Sequence, residues 1–133
     1  MLSRIALVFF GLFNMANGVY MLVAPDAWYA AVPGVTATGP MNHHFIADIG
    51  FAFIASGLGQ LFAMKNSRAG AAFALAGSVW PALHAAFHVW GWLSHGLPMQ
   101  PAMLLSEVVG VVGVSALALI LAVRAFARGG IGP

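Results

Sequence analysis

The chain contains no cysteine and carries little charge. Without cysteine it has no disulfide bonds, no thiolate metal ligands and no thiol–disulfide chemistry of the quinone-linked kind. Charged residues make up 6% of the 133 residues, whereas an average soluble domain contains about 25%. So little charge would leave the surface of a soluble fold uncovered. With 62% hydrophobic residues and a mean hydropathy of +0.94, the composition predicts an integral membrane protein.

Other absences narrow the classes of function. Five lysines and arginines outnumber three acidic residues, which gives a sequence pI of about 9.7, but the basic residues are scattered and form no patch. We therefore exclude a nucleic-acid partner. The sequence also lacks a glycine-rich phosphate loop, a zincin motif and a nucleophile elbow, and these motifs would indicate nucleotide binding or hydrolysis.

Four apolar stretches are each close to the ~20 residues that a helix needs to cross a bilayer. They cover residues 5–24, 44–64, 69–92 and 101–125, approximately. A secretory signal peptide is the alternative for the first stretch, but its apolar run is longer than the usual ~7–15 residues. We predict an all-α fold, an antiparallel four-helix transmembrane bundle that forms one domain over residues 1–133.

The basic residues predict the orientation of this bundle. All five fall at the same side of the four stretches: Arg4, Lys65, Arg68, Arg124 and Arg128. Because cytoplasmic loops carry the excess of lysine and arginine, both termini are predicted to be cytoplasmic. The expected location is the bacterial inner membrane, with several passes through the lipid bilayer.

The stretch from Trp80 to Trp92 combines an apolar sequence with two histidines. His84 and His88 are four residues apart, so a helix places both imidazoles on one face. Polar groups in an apolar helix need partners. Trp90 and Trp92 near the end of the stretch are interpreted as anchors at the membrane interface.

Other ionisable residues are predicted at a similar depth below the outer surface. At ~1.5 Å per residue, Asp48 and His88 lie about 6 Å deep, Glu107 about 9 Å and His84 about 12 Å, with His44 at the boundary. Asp48 and Glu107 are two of only three acids in the chain. A carboxylate at this depth costs roughly 2.5–3.5 kcal/mol unless it is paired.

One interpretation of this layer is a metal site. Its imidazole and carboxylate ligands would be His44 (or His43), Asp48, His84, His88 and Glu107, a set that suits zinc, iron, manganese or copper(II). A second interpretation is a hydrogen-bonded polar layer or proton relay in which histidines and carboxylates satisfy each other. A third is haem held by His44 and His88 from facing helices, although no distinctive glycines make room for the ring.

Three segments carry a resemblance to a known family. The first span ends in Met21-Leu22-Val23-Ala24-Pro25, residues 42–59 read N-H-H-F-I-A-D-I-G-F-A-F-I-A-S-G-L-G, and the fourth span includes Glu107-Val108-Val109-Gly110. With these features the chain resembles the DoxX-like small four-helix bacterial membrane proteins. The resemblance implies a four-helix bundle and, for some relatives, association with membrane redox enzymes. It assigns no role to His84 or His88.

Three functions follow as expectations. The first is a small inner-membrane protein that binds a transition metal for metal handling or for redox chemistry on a lipid-soluble substrate such as a quinone. The second is a non-catalytic accessory subunit of a larger membrane complex, respiratory or oxidoreductase, or a homo-oligomer. The third is a haem-binding or proton-transferring membrane protein, or an isomerase or hydratase that uses Asp48 or Glu107 as a proton donor.

Overall fold

The computed structural model describes residues 2–129, and 85% of the structure is helical. No strand occurs in this part of the chain. The all-α prediction is therefore confirmed. Its helices are α1 (Leu2–Val23), α2 (Pro25–Ala31), α3 (His43–Leu61), α4 (Arg68–His95), α5 (Pro101–Leu105) and α6 (Val114–Ala127). Short 3-10 turns cover Val35–Ala37 and Phe62–Met64, and a π-helical stretch, the π segment, covers Ser106–Gly113.

Four helical stretches within residues 2–129 are long and apolar enough to cross a membrane. They are Leu2–Val23, His43–Met64, Arg68–His95 and Pro101–Ala127, where the last joins α5, the π segment and α6. These match the four predicted spans, which indicates a membrane protein. The third stretch is longer than predicted, because α4 continues to His95 and ends where Gly96 takes a left-handed φ of 88°.

Polar residues fix where the two middle helices begin. The Asn42 side chain accepts a hydrogen bond from the backbone N–H of Phe45 at 3.0 Å, and so caps α3. The Ser67 hydroxyl accepts one from the backbone N–H of Gly70 at 3.1 Å, and so caps α4. Each cap satisfies a backbone donor that the first turn of a helix leaves unpaired.

The long helices pack in the order α1–α3–α4–α6. Glycines bring α1 and α3 together. A Cβ atom added to Gly57 would lie 2.5 Å from the carbonyl oxygen of Gly11, and one added to Gly18 would lie 2.5 Å from that of Gly50. Residue numbers therefore rise along α1 while they fall along the facing side of α3. Such close approach through small residues is typical of helices in membranes.

Small side chains fill the interior, and many large apolar ones face outward. The buried cluster consists of Leu7, Phe10, Ala63, Ala71, Ala74, Ala118, Ala122 and Ala125. Phe87, Leu93 and Leu105 are among the large apolar residues that are exposed. Extensive exposed apolar surface is unusual in soluble monomers, and a lipid environment accounts for it.

A buried chain of hydrogen bonds joins three of the long helices. The Asn14 amide on α1 donates to the Gln60 side-chain oxygen on α3 at 2.8 Å. The Gln60 amide donates to the Ser78 hydroxyl on α4 at 3.2 Å, and that hydroxyl donates to the Ala74 carbonyl at 2.8 Å. All three polar side chains are buried. Because each finds a partner, the chain avoids the cost of an unpaired polar group in an apolar interior.

Candidate functional site

Four aromatic residues stand one turn apart on α4 and form a column of rings. Trp80 and His84 are stacked, with ring centroids 5.3 Å apart and planes inclined by 5°. His84 and His88 meet edge to face, with centroids 4.8 Å apart. Trp92 follows one turn later. This ring column, Trp80–His84–His88–Trp92, places the two imidazoles of the sequence prediction on one face of the helix, as expected.

An aromatic residue of α3 supports the Trp80 end of the ring column. Phe53 meets Trp80 edge to face at a centroid distance of 4.7 Å, and its centroid lies 6.4 Å from that of His84. Edge-to-face pairs of this kind stabilise ring packing beyond the area that they bury. The position of His84 is therefore set by rings from two helices.

Glu107 faces the other end of the ring column from the π segment. Pro101 stands at the first-turn position of α5, where its missing N–H costs nothing, and the helix then widens from Ser106 onward. Glu107 is the one buried residue of the π segment. Short π-helical stretches are rare and occur often at functional sites.

Two groups of α4 converge on one oxygen of Glu107. The indole N–H of Trp92 donates a hydrogen bond to Oε2 at 2.6 Å, and Nδ1 of His88 lies 3.4 Å from the same oxygen. The side chains of His88 and Glu107 are 23% and 11% exposed. Within residues 2–129 no lysine or arginine forms an ion pair with Glu107. The polar neighbours of the carboxylate in this part of the chain are therefore the Trp92 indole N–H and the His88 imidazole.

His44 and Asp48 pair with each other near the start of α3. Nε2 of His44 is 3.4 Å from Oδ2 of Asp48 on the first turns of α3, where the side chains are 89% and 58% exposed. No ion pair in the described part of the chain joins Asp48 to His84 or His88. The five predicted site residues therefore form two groups, His44–Asp48 and His84–His88–Glu107.

His43, the alternative ligand to His44, has its own partner. Its Nε2 lies 3.3 Å from Oδ1 of Asp26 on α2, and both side chains are largely exposed. Each of the three acidic residues thus lies beside a histidine. Exposed pairs of this kind contribute little to stability because solvent screens them.

The described residues contain no preformed site for a metal ion. Among residues 2–129 no group of three or more histidine, aspartate or glutamate side chains is arranged to hold a metal ion. The described residues that come nearest to one are His84, His88 and Glu107, which are successive neighbours. Metal binding, like haem binding, stays a prediction.

Trp92 is the site residue that the sequence interpretation missed. It was assigned to the membrane interface together with Trp90, yet its indole N–H is the shortest polar contact of Glu107. Trp90 is exposed, as an interfacial anchor would be. The sequence does contain a signal for Trp92. Aromatic residues occur at positions 80, 84, 88 and 92, and this four-residue spacing places them on one face of α4.

The chain matches no protein-family model, no curated protein and no solved structure. The resemblance to DoxX-like proteins therefore stays a prediction. Function is argued from the site itself, since a helical fold alone implies none.

Proposed function

We propose that the chain is a multi-pass protein of the bacterial inner membrane, an antiparallel four-helix bundle with both termini in the cytoplasm. Four apolar helices support the membrane setting. The opposed numbering of the glycine contacts between α1 and α3 supports the antiparallel order. Arg4, Lys65, Arg68, Arg124 and Arg128 support the orientation, since all five lie at the same side of the four spans.

In this orientation the His88–Glu107 pair lies toward the periplasmic side, and we propose that it transfers protons. One proton has two places in the pair, either Nδ1 of His88 or Oε2 of Glu107, and the pair is net neutral in both forms. The Trp92 N–H stabilises the carboxylate when the proton leaves. His84, whose ring adjoins that of His88, is the next imidazole along the ring column. The protein would act alone or as the proton-exchanging subunit of a larger membrane complex.

The convergence of His88 and Trp92 on a single oxygen of a buried carboxylate carries this proposal. A purely packing role for Glu107 would be served as well by an apolar side chain. A buried acid with one neutral donor and one titratable neighbour is instead suited to gain and lose a proton.

Infrared difference spectra of the full chain in lipid, recorded between acidic and alkaline pH, test the proposal. We expect a change in the carboxyl C=O stretch that Glu107→Gln removes and Asp48→Asn leaves in place. His88→Ala should alter the pH range over which this change occurs. A Glu107 signal that is constant with pH, or that is identical in His88→Ala, would contradict proton exchange within the pair.

Metal binding by His84, His88 and Glu107 is the second candidate. The residues are successive neighbours, and two imidazoles and one carboxylate are ligand types that zinc, iron, manganese and copper(II) accept. Metal analysis of the purified full chain should then give stoichiometric metal that is lost in the double variant His84→Ala/His88→Ala. His44→Ala, at the separate exposed pair, should keep it. Equal and substoichiometric metal in all three proteins would refute this candidate.

A further inference from the structure

A groove opens on the outer face of the protein between α3 and α4. It encloses about 530 Å³, a volume in the range of small-molecule sites. Its rim includes the exposed residues Leu58, Phe73 and Ala76, and Trp80 lines it toward the middle of α4. The groove is on the outward surface of two candidate spans, so lipid chains reach it directly.

Small residues make the floor of this groove. A Cβ atom added to Gly59 would lie 2.8 Å from the Cα atom of Gly77, so the two helices touch at backbone level there. From Phe73 to Trp80 the groove follows α4 for about 10 Å. An extended hydrocarbon chain fits this shape, because the hydrocarbon chain is narrow and needs no polar partner.

A lysine stands at one end of the groove. Nζ of Lys65 lies 5.4 Å from the ring centroid of Phe62, and Phe62 stacks on Phe73 at a centroid distance of 4.7 Å. Both rings line the groove. Lys65 forms no ion pair with a carboxylate in the described part of the chain, where each acidic side chain lies beside a histidine instead.

We propose that the α3–α4 groove binds an anionic phospholipid, with one acyl chain lying along the groove over Gly59 and Gly77 and its phosphate at Lys65. A basic side chain at the end of an apolar cleft between membrane helices is suited to an acidic lipid headgroup. The proposal depends on the membrane setting and is independent of the chemistry of His88 and Glu107.

Charge favours a lipid over a second copy of this chain as the occupant. The turn between α3 and α4 carries Lys65 and Arg68, and a second copy in the same orientation would bring another basic turn to this membrane surface. The acidic residues that might neutralise it, Asp26, Asp48 and Glu107, lie in other parts of the chain. An acidic lipid supplies the missing negative charge.

Native mass spectrometry of the full chain, titrated with phosphatidylglycerol and with phosphatidylcholine, tests this site. We expect one tightly held phosphatidylglycerol and weaker binding of phosphatidylcholine. Lys65→Gln should weaken phosphatidylglycerol binding about fivefold, as expected for one basic residue near a membrane surface. Arg128→Gln removes a charge from the same side of the chain but not from the groove, and should have little effect.

Substitutions at two alanines distinguish the effect of filling the groove from a general effect on the protein. Ala76→Phe fills the groove and should abolish the tight site, whereas Ala86→Phe adds the same ring at an exposed position of α4 outside the groove and should retain it. If Lys65→Gln binds each of the two lipids as tightly as the unaltered chain does, the proposal is overturned. A dimer that Ala76→Phe dissociates would also overturn it, because the occupant would then be a second copy.

Discussion

Trp92 donates its indole N–H to Oε2 of Glu107 at 2.6 Å, from the last turns of α4 to the π segment. The two residues are 15 positions apart, and the turn between their helices lies between them. This contact ties the end of the ring column to the one histidine–carboxylate pair in residues 2–129 whose side chains are both largely buried.

Removing the indole donor should destabilise the protein. Trp92→Phe keeps most of the ring but leaves Glu107 without its shortest hydrogen bond, and a lost bond to a charged group costs about 1.5–3 kcal/mol. The measurement is the free energy of unfolding in detergent. Trp90→Phe is the matched control, because Trp90 is exposed, and its effect should stay within about 0.5 kcal/mol. Equal effects of the two variants would show that the contact contributes nothing.

Substitutions of the two carboxylates in the predicted site, Asp48 and Glu107, should differ in their effect on stability. Asp48 is 58% exposed beside a fully solvated His44, so Asp48→Ala should change the unfolding free energy by less than about 1 kcal/mol. Glu107→Ala leaves the Trp92 N–H and the His88 ring without their partner, and should cost about 1–3 kcal/mol. Thermal unfolding of both variants checks the order. A larger loss for Asp48→Ala would contradict the separation of the two groups.

Sequence reasoning reached the four spans because hydropathy depends only on composition along each helix. It also identified the shared face of His84 and His88, since a helical period fixes which residues of one helix are neighbours.

The predicted depth of each residue could not show which side chains of different helices are in contact. Asp48 and His88 were predicted at the same level, yet depth does not give the rotation of each helix about its axis. Glycine contacts set that rotation for α1 and α3. The contacts of Glu107 depend on the π segment, which sequence periodicity does not indicate. For these reasons the predicted five-residue site separates into two groups.

Close helix contact predicts that Gly57 tolerates no side chain. In Gly57→Ala the new Cβ would lie 2.5 Å from the Gly11 carbonyl oxygen, so the helices must move apart. We expect a loss of about 1–3 kcal/mol, as for other overpacked sites. Gly91→Ala is the control, because nothing lies within 4 Å of its added Cβ and alanine stabilises a helix by about 0.5–1 kcal/mol relative to glycine. Unfolding in detergent separates the two outcomes, and equal stability of both variants would contradict the α1–α3 contact.

The buried amide chain should show energetic coupling. A double-mutant cycle with Asn14→Ala and Gln60→Ala measures the hydrogen bond that joins α1 to α3. Side-chain hydrogen bonds between membrane helices average about 0.6 kcal/mol and reach about 1.7 kcal/mol, and we expect a value in this range. Asn14→Ala combined with Ser115→Ala, whose side chain is not part of the chain of bonds, should be additive. Additivity in the Asn14–Gln60 cycle would show that the bond is not formed.

The most direct test of the central claim is the protonation state of the His88 ring, observed by nitrogen NMR of imidazole-labelled full chain in lipid. The account predicts that Glu107→Gln changes the Nδ1 signal of His88, because a neutral amide replaces the carboxylate whose Oε2 lies 3.4 Å from that nitrogen. Asp48→Asn should leave that signal unchanged. If Glu107→Gln leaves the His88 signal as it is in the unaltered chain, or if Asp48→Asn shifts it by the same amount, the His88–Glu107 pair does not share a proton.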